Sequence, residues 1–474
     1  MTTHIPLIIG GQDVATKKTF DEFSPEGKLL HQVHYLENVA DTLQVCRAAE
    51  AGFHSWHKTK WTEKARILKA VALKIEERKA ELVAAHLEIG IPPWFAGFNV
   101  DGSVDQVQNY VGQLANAQGS MQQSEAYALA LVVREPLGVV LSISPWNAPG
   151  ILAMRSILAP LVAGNAVIVK ASEKSSKIAY LLVKCFIDGG VPAETISLIH
   201  SPPQETAALV ENFIADPVVK KINFTGSTAV GAAIAATAGK HLKPVLMELG
   251  GKNCVVVTED VADLDKCVAN TTWSAWSHRG QICMSTERVL VHESVFDEFV
   301  AKAKLVGAAM LKEDKDLQLL QRDPVYAQKI KYLLKDAVSK GAVSLLGASG
   351  NHASEDYSLR PTILTNVTED MEIYTTETFG PVFFVEKYDT TENAISSVNA
   401  SQYGLKCSIW SGNHLRALEM AREIQSGGVH INSSTISDEA TLAHGGVKSS
   451  GYGRFNSTWG IDEFSYQKAI TLSH

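Results

Sequence analysis

From Gly138 to Val169 the chain reads "GVVLSISPWNAPGILAMRSILAPLVAGNAVIV", with Arg155 as its single charge. A membrane-spanning helix needs about 20 consecutive apolar residues. Here Pro145, Asn147, Pro149, Pro160 and Asn165 cut the run into shorter pieces. The parse that satisfies the backbone is a strand at 138–143, a loop at 144–149, a helix at 150–162 and a strand at 166–170. Strands this apolar on both faces belong to a parallel sheet covered by helices on each side.

The rest of the chain follows that lead. Residues 41–89 carry helical spacing, as in "AVALKIEERKAELVAAHLEIG", which stops at Gly90 and Pro92. Leu129–Pro136, "LALVVREP", reads as a strand with no helix after it. Apolar strands at 195–199 and 220–224 are each followed by a helical pattern, the second being "STAVGAAIAATAG". The pattern restarts at "KNCVVV" (252–257), with strands expected near 287–292, 381–386, 406–410 and 428–432. The fold class is α/β, with two doubly wound lobes joined near Glu248. The closing "FSYQKAITLSH" reads as a strand with no partner nearby in sequence, the kind of arm that pairs with another subunit.

A length of 474 residues allows two or three domains. The net charge of -8, with scattered Lys and Arg, argues against a nucleic-acid surface. The start, "MTTHIPLIIGGQDV", turns polar too early for a secretory signal, so a cytoplasmic location is expected and no membrane partner. Six cysteines stand at 46, 185, 254, 267, 283 and 407 with no CxxC pair, which is neither a disulfide framework nor a zinc spacing. Cys283, in "RGQICMST", has only His278 near it, so a metal site is not expected. What remains for Cys283 is a packed core thiol or a nucleophile.

Five islands hold residue types that propensity does not require. "SPWNAP" puts Trp146 and Asn147 in a strand-to-helix loop, where Asn147 either caps a helix or donates into a cleft. "VKASEK" ends a strand on Lys170, with Glu173 three residues on. This is either a solvated loop or a pair suited to ribose hydroxyls. "INFTGSTAVG" runs strand, Gly226, Ser227, helix, a moderate signal for a phosphate-bearing ligand. "LMELGGKN" sets Glu248 among apolar residues, either paired with a lysine such as Lys252 or poised as a general base. Cys283 is the fifth. Two glycine-rich loops, "TETFGPV" with Glu377 and Phe379, and "GGVKSSGYGR", complete the set.

Taken together and in this order, "PWN", "KASE", "FTGS", "ELGGK", "GQIC", "ETFGPV" and "GGVKSSGYGR" resemble the aldehyde dehydrogenase superfamily over nearly the whole chain. The resemblance implies that the Cys283 thiolate attacks the aldehyde carbon, giving a thiohemiacetal and then a thioester. It implies an oxyanion held by the Asn147 amide and the Cys283 backbone N–H, and a Glu248 that activates the hydrolytic water. NAD is the implied cofactor. Trp146, Lys170, Glu173, Gly226, Ser227, Glu377 and Phe379 are its implied contacts, with Glu173 favouring NAD over NADP. Residues 1–117 and 137–247 would form the dinucleotide-binding domain, and 248–445 the catalytic domain. Residues 118–136 and 446–474 would form an oligomerisation arm of a homodimer or homotetramer.

Within that family the closest likeness is to salicylaldehyde and vanillin dehydrogenases, carried by "GQICMSTERVLVHESVFDEFV", "DEATLAHGGVKSSGYGRF" and Arg155. It implies an aromatic, hydroxybenzaldehyde-type substrate. Ile151, Arg155, Ile282, Trp94 and Phe98 (or Phe95) would be the substrate contacts. His444 stands where the family usually has phenylalanine, and would either bond a polar group of the substrate or simply pack. Arg155 equally suits a protein carboxylate, or the distal carboxylate of an aliphatic semialdehyde. Outside this reading stand a Cys-dependent acyl hydrolase that needs no dinucleotide and a catalytically silent scaffold.

Overall fold

The computed structural model describes residues 3–115, 119–318, 321–347 and 359–474. The expected division at 117/118 lies outside the described residues. The chain forms two compact units. The first holds Met1–Met247, Glu439–His444 and Gly453–His474; the second holds Glu248–Asp438 and Gly445–Tyr452. Two short returns to the first unit therefore interrupt the carboxyl-terminal half, one of them inside the 248–445 stretch read as a single lobe.

In the first unit, helices α1 (Thr42–Trp56), α2 (Trp61–Glu77), α3 (Lys79–Glu88) and α4 (Pro93–Gln113) follow one another. The unit's strands include β1 (Leu7–Ile9), β2 (Gln12–Val14), β3 (Ser120–Gln122), β4 (Leu129–Pro136), β5 (Val139–Ile143), β6 (Ala166–Lys170), β7 (Ile196–Ile199), β8 (Val219–Thr225) and β9 (Val245–Glu248). Seven of them share one sheet in the order β9-β8-β5-β6-β7-β1-β2. β8, β5, β6 and β7 run parallel, and β5 and β6 are buried at every position. The apolar 138–169 segment thus folds as its sequence predicts, with α5 (Pro149–Val162) between the two strands.

The chain winds β5-β6-β7 in one direction, then returns to lay β8 on the other side of β5. That reversal is a topological switch point, the place where open α/β sheets leave a crevice beyond their strand ends.

The second unit repeats the plan with β10 (Asn253–Val257), β11 (Thr286–His292), β12 (Val343–Leu346), β13 (Thr362–Thr365), β14 (Val382–Tyr388), β15 (Lys406–Trp410) and β16 (Gly428–Ile431). Their order is β12-β13-β14-β11-β10-β15-β16, parallel except for β12. Val255, Val257, Val289, Val291, Phe383 and Val385 alternate along three of these strands to fill one face of the core, against Trp276 and Phe299.

The terminal strand β17 (Ser465–Leu472) has a partner in its own chain, far away in sequence. It pairs antiparallel with β4, from Ser465 opposite Pro136 to Leu472 opposite Leu129, and β3 closes the other side. Its Tyr466, Ile470 and Leu472 remain exposed.

Candidate active site

At the first unit's switch point two loops leave the sheet side by side, because β8 and β5 are in register from Asn223 opposite Ser142 to Phe224 opposite Ile143. The loop after β5 carries Trp146 and Asn147 into α5; the loop after β8 carries Gly226 and Ser227 into α6 (Thr228–Lys240). A Cβ on Gly226 would lie 2.6 Å from the Phe224 ring, so only glycine lets the loop fold over that phenylalanine. Ser227 caps α6, its hydroxyl accepting from the Val230 N–H at 3.5 Å. Lys170 ends the neighbouring strand, with its ammonium 3.9 Å from the Glu173 carboxylate. Burial lowers the Lys170 pKa and Glu173 opposes the shift. The Lys174 ammonium lies 5.7 Å from the Trp146 ring centre. Trp146, Lys170, Glu173, Gly226 and Ser227 are thus gathered at one sheet edge.

Asn147 is buried and does not cap α5; the cap position is Ala148, which has no side chain to offer. Asn99 of α4 supplies the missing acceptor, its Oδ1 taking the Ile151 N–H at 3.3 Å. Ile151 lies against α4 at Gly102, where a Cβ would come within 2.8 Å of it. One turn on, Arg155 is only 2% exposed, and its guanidinium lies 5.5 Å from the Phe455 ring centre. Phe455 in turn forms an isolated bridge with buried His444, with hydrogen bonds of 2.7 and 3.2 Å. Arg155 and His444 are therefore joined through an aromatic residue that the sequence reading passed over.

On α4, Trp94 and Phe98 are 43% and 48% exposed, whereas Phe95 is core and stacks on Phe98.

The second unit holds the cysteine loop. His278 and Arg279 take left-handed φ values of 50° and 58°, which non-glycine residues rarely adopt, and Gly280 follows at 69°. A Cβ on Gly280 would meet the Gly380 carbonyl oxygen at 2.1 Å, so the backbones of the two loops touch there. Ile282, buried, and Cys283 then enter a tight turn closed by the Ser285 N–H donating to the Ile282 carbonyl at 2.9 Å. Cys283 is half-buried; the other five cysteines are buried. Burial pushes the thiols of Cys46 and Cys407 up to about 12 and that of Cys185 to about 11.

Glu377 accepts the Gly251 N–H at 3.0 Å, and any side chain at Gly250 would collide with its carboxylate. Burial, reinforced by the nearby Glu287 charge, pushes Glu377 up to about 7. Glu287 holds the Glu377 loop itself: its carboxylate accepts the Thr378 and Phe379 N–H groups at 2.9 to 3.0 Å. Phe379 is left-handed, φ 51°, with its ring 5.3 Å from that of Tyr326. Glu248 is buried at the end of β9, and Lys252 is engaged with Glu287 at 2.7 Å. Among the described residues no group of three or more His, Cys, Asp or Glu is placed to hold a metal, and no helix is long and apolar enough to cross a membrane.

These loops lie where the sequence motifs are, and the chain matches the model of the aldehyde dehydrogenase family over residues 13–470. The chain belongs to the aldehyde dehydrogenase family. A vanillin dehydrogenase of Pseudomonas sp. (strain HR199 / DSM 7063) is 38% identical over 480 residues, 99% of this chain and 98% of the relative. A salicylaldehyde dehydrogenase of Pseudomonas putida is 36% identical over 468 residues, 97% and 96% of the two chains. Among solved structures, a salicylaldehyde dehydrogenase from Pseudomonas putida G7, complexed with salicylaldehyde, superposes with a TM-score of 0.94 at 33% identity. That match covers 100% of this dehydrogenase and 98% of the other chain.

Sequence reading of this aldehyde dehydrogenase missed Asn253, Glu287 and Phe455. Asn253 is signalled only by its place after Gly-Gly-Lys, and Glu287 by a charge at the start of a buried strand.

Proposed function

We propose that this dehydrogenase oxidises a hydroxylated aromatic aldehyde to its carboxylic acid, using NAD. The observation that carries the substrate class is the Arg155–Phe455–His444 group. A buried guanidinium over an aromatic ring, on the helix that follows Asn147, suits a flat substrate bearing a phenol oxygen. The names of the vanillin and salicylaldehyde dehydrogenases among its relatives support the same class.

The residues at the first unit's sheet edge fit a dinucleotide. A helix N-terminus behind a glycine suits the pyrophosphate, and the Lys170–Glu173 pair suits ribose hydroxyls. Glu173 would repel a 2′-phosphate, which favours NAD over NADP. Glu377 supplies a carboxylate for the second ribose, with Phe379 beside it. When bound, the nicotinamide accepts the hydride.

The chain's own residues do the rest. Cys283 attacks the carbonyl carbon as thiolate, and the Asn147 amide and the Cys283 N–H stabilise the resulting oxyanion. After oxidation the acyl group remains on Cys283 as a thioester. Glu248 takes a proton from water, the hydroxide adds to the thioester carbon, and the acid leaves as the cysteine is released. Residues 1–117 and 137–247 serve the dinucleotide and 248–445 the chemistry. The exposed strand β17 with 118–136 forms a homodimer or homotetramer contact, in the cytoplasm.

NADH formation with salicylaldehyde, vanillin, benzaldehyde, hexanal and succinic semialdehyde tests this reading, comparing wild type with Cys283→Ala and Arg155→Leu. The expected result is turnover strongest with hydroxybenzaldehydes, abolished in Cys283→Ala. Arg155→Leu should raise KM about tenfold for hydroxylated rings and leave benzaldehyde nearly unchanged, the scale of one charge-assisted hydrogen bond. Preference for succinic semialdehyde, lost in Arg155→Leu, would assign the guanidinium to a distal carboxylate instead. Ester cleavage without NAD and no NADH with any aldehyde would favour an acyl hydrolase.

A further inference from the structure

We infer that Asn253 is a positioning residue for Cys283, fixing the cysteine turn through three hydrogen bonds from one buried side-chain amide. The inference rests on the reading of Cys283 as the nucleophile and goes beyond it to what holds that sulfur in place.

The parallel ladder between β10 and β11 is irregular at its start. Asn253 stands opposite Thr286, but the next pair is Cys254 with Arg288, so one residue of β11 is skipped. At such an irregularity, backbone groups lose their ladder partners and need others. The Cys283 and Ser285 carbonyls lie just before the first ladder pair, and the Asn253 side chain serves them. Its Nδ2 donates to the Cys283 carbonyl at 2.8 Å and to the Ser285 carbonyl at 2.9 Å, spending both amide protons on the turn that carries the sulfur. Its Oδ1 accepts the Lys406 N–H at 3.0 Å, anchoring the amide to the first residue of β15.

Neighbouring glycine makes room for this arrangement. A Cβ on Gly251 would stand 2.7 Å from Asn253 Oδ1 and 3.1 Å from its Nδ2. The amide therefore folds back over a residue that cannot carry a side chain, and the N–H of that same Gly251 holds Glu377. Within the turn itself the Ser285 N–H donates to the Ile282 carbonyl. Upstream, Gln281 holds its own loop, with its Nε2 on the His278 carbonyl and its Oε1 on the Arg322 N–H. At Cys283 and Ser285, Asn253 supplies support from outside the turn.

A turn pinned at both carbonyls fixes the Cα position of Cys283 and the plane of its peptide. Displacement of a reacting atom by about 1 Å is enough to cost on the order of 100-fold in rate. Asparagine is the residue type this needs: two donors and one acceptor on a short stem. Aspartate retains the acceptor for Lys406 but sets a carboxylate against two carbonyl oxygens.

The test compares wild type, Cys283→Ala, Asn253→Ala and Asn253→Asp as full-length chains. Three readouts are taken: kcat and KM with benzaldehyde and NAD, the pH profile of iodoacetamide alkylation at Cys283 followed by peptide mass spectrometry, and the thermal midpoint. Alkylation needs no substrate, and the five remaining cysteines are buried, so it reports the Cys283 environment alone.

Expected for both Asn253 variants is a fall in kcat of about 10- to 100-fold. KM for aldehyde and NAD should move less than threefold, and the alkylation profile should shift from that of wild type, most in Asn253→Asp. A lowered midpoint with kcat within twofold of wild type and an unshifted alkylation profile overturns the inference, because Asn253 then serves the fold alone. Failure of both variants to fold has the same meaning. If Cys283→Ala keeps its activity, the nucleophile reading fails; if it is inactive while both Asn253 variants match wild type, only this inference fails.

Discussion

The Lys252 ammonium donates to Glu287 Oε2 at 2.7 Å with the two side chains 2% and 3% exposed, and donates again to the Thr376 carbonyl at 2.9 Å. Glu287 spends its remaining acceptor capacity on the Thr378 and Phe379 N–H groups. This buried pair links β11 to the loop bearing Glu377. Removing one partner leaves the other charge in a dry interior, which typically costs about 3–5 kcal/mol. Lys252→Met is therefore expected to lower the urea-unfolding free energy by about that amount. Lys252→Met with Glu287→Gln should recover part of the loss, since Gln is neutral and keeps an acceptor for the loop. A change under about 1 kcal/mol in the single variant would show that Glu287 is neutralised by other means.

The pH dependence of cofactor binding follows from Glu377. Burial and the Glu287 charge raise its pKa to about 7, so the carboxylate gains a proton as pH falls through that value. Protonation removes charge from the acceptor proposed to take the ribose hydroxyls. The dissociation constant for NADH, measured by fluorescence, is expected to rise as pH falls from about 8 to about 6. In Glu377→Gln the same titration should be flat and weak throughout. A wild-type titration with no inflection in that window would remove Glu377 from the binding site.

The close approach of Gly280 to Gly380 gives a third expectation. A methyl group at 280 would stand 2.1 Å from a carbonyl oxygen and would also force alanine into φ 69°. Gly280→Ala must push the cysteine loop away from the Glu377 loop. A loss of kcat of about 100-fold or more is expected, the scale of a 1 Å misplacement. Gly341, also left-handed but with open space at its Cβ, serves as the control. Gly341→Ala should lose about 1 kcal/mol of stability from strain and none of its turnover.

Coenzyme choice is checked at Glu173. Glu173→Ser removes the acid 3.9 Å from Lys170 and leaves the lysine to meet a 2′-phosphate. The ratio of kcat/KM for NADP over NAD is expected to rise at least about tenfold, the size of one unfavourable charge contact relieved. An unchanged ratio would place the ribose elsewhere.

Much of this architecture was legible in the residue order. The strand-loop-helix-strand parse of 138–170 is what the structure contains, because strands buried on both faces leave an unbroken apolar signature that proline and asparagine then punctuate. The motif loops were legible for the same reason: Asn147, Gly226 and Cys283 sit where regular elements end. Less visible were relations that depend on register. Nothing local marks Asn253 as the support of a turn thirty residues away, since the contact exists only once β10 is laid beside β11. The contact of Arg155 with Phe455 joins residues three hundred positions apart through a late return of the chain, and no periodicity reports such a return. The pairing of β17 with β4 was invisible for the same reason, since the two are equally remote in sequence.

Arg155, His444 and Phe455 all belong to the first compact unit, and Asn253, Cys283, Glu287 and Glu377 to the second. The group proposed to choose the aldehyde and the frame proposed to hold the sulfur share no residue. A lineage can therefore exchange one substrate for another by rewriting α5 and the short returns at 439–444 and 453–474. The amide and carboxylate ties around the cysteine need not be renegotiated each time. On this division of the chain, new specificities should arise by few substitutions, and catalytic rate should survive them.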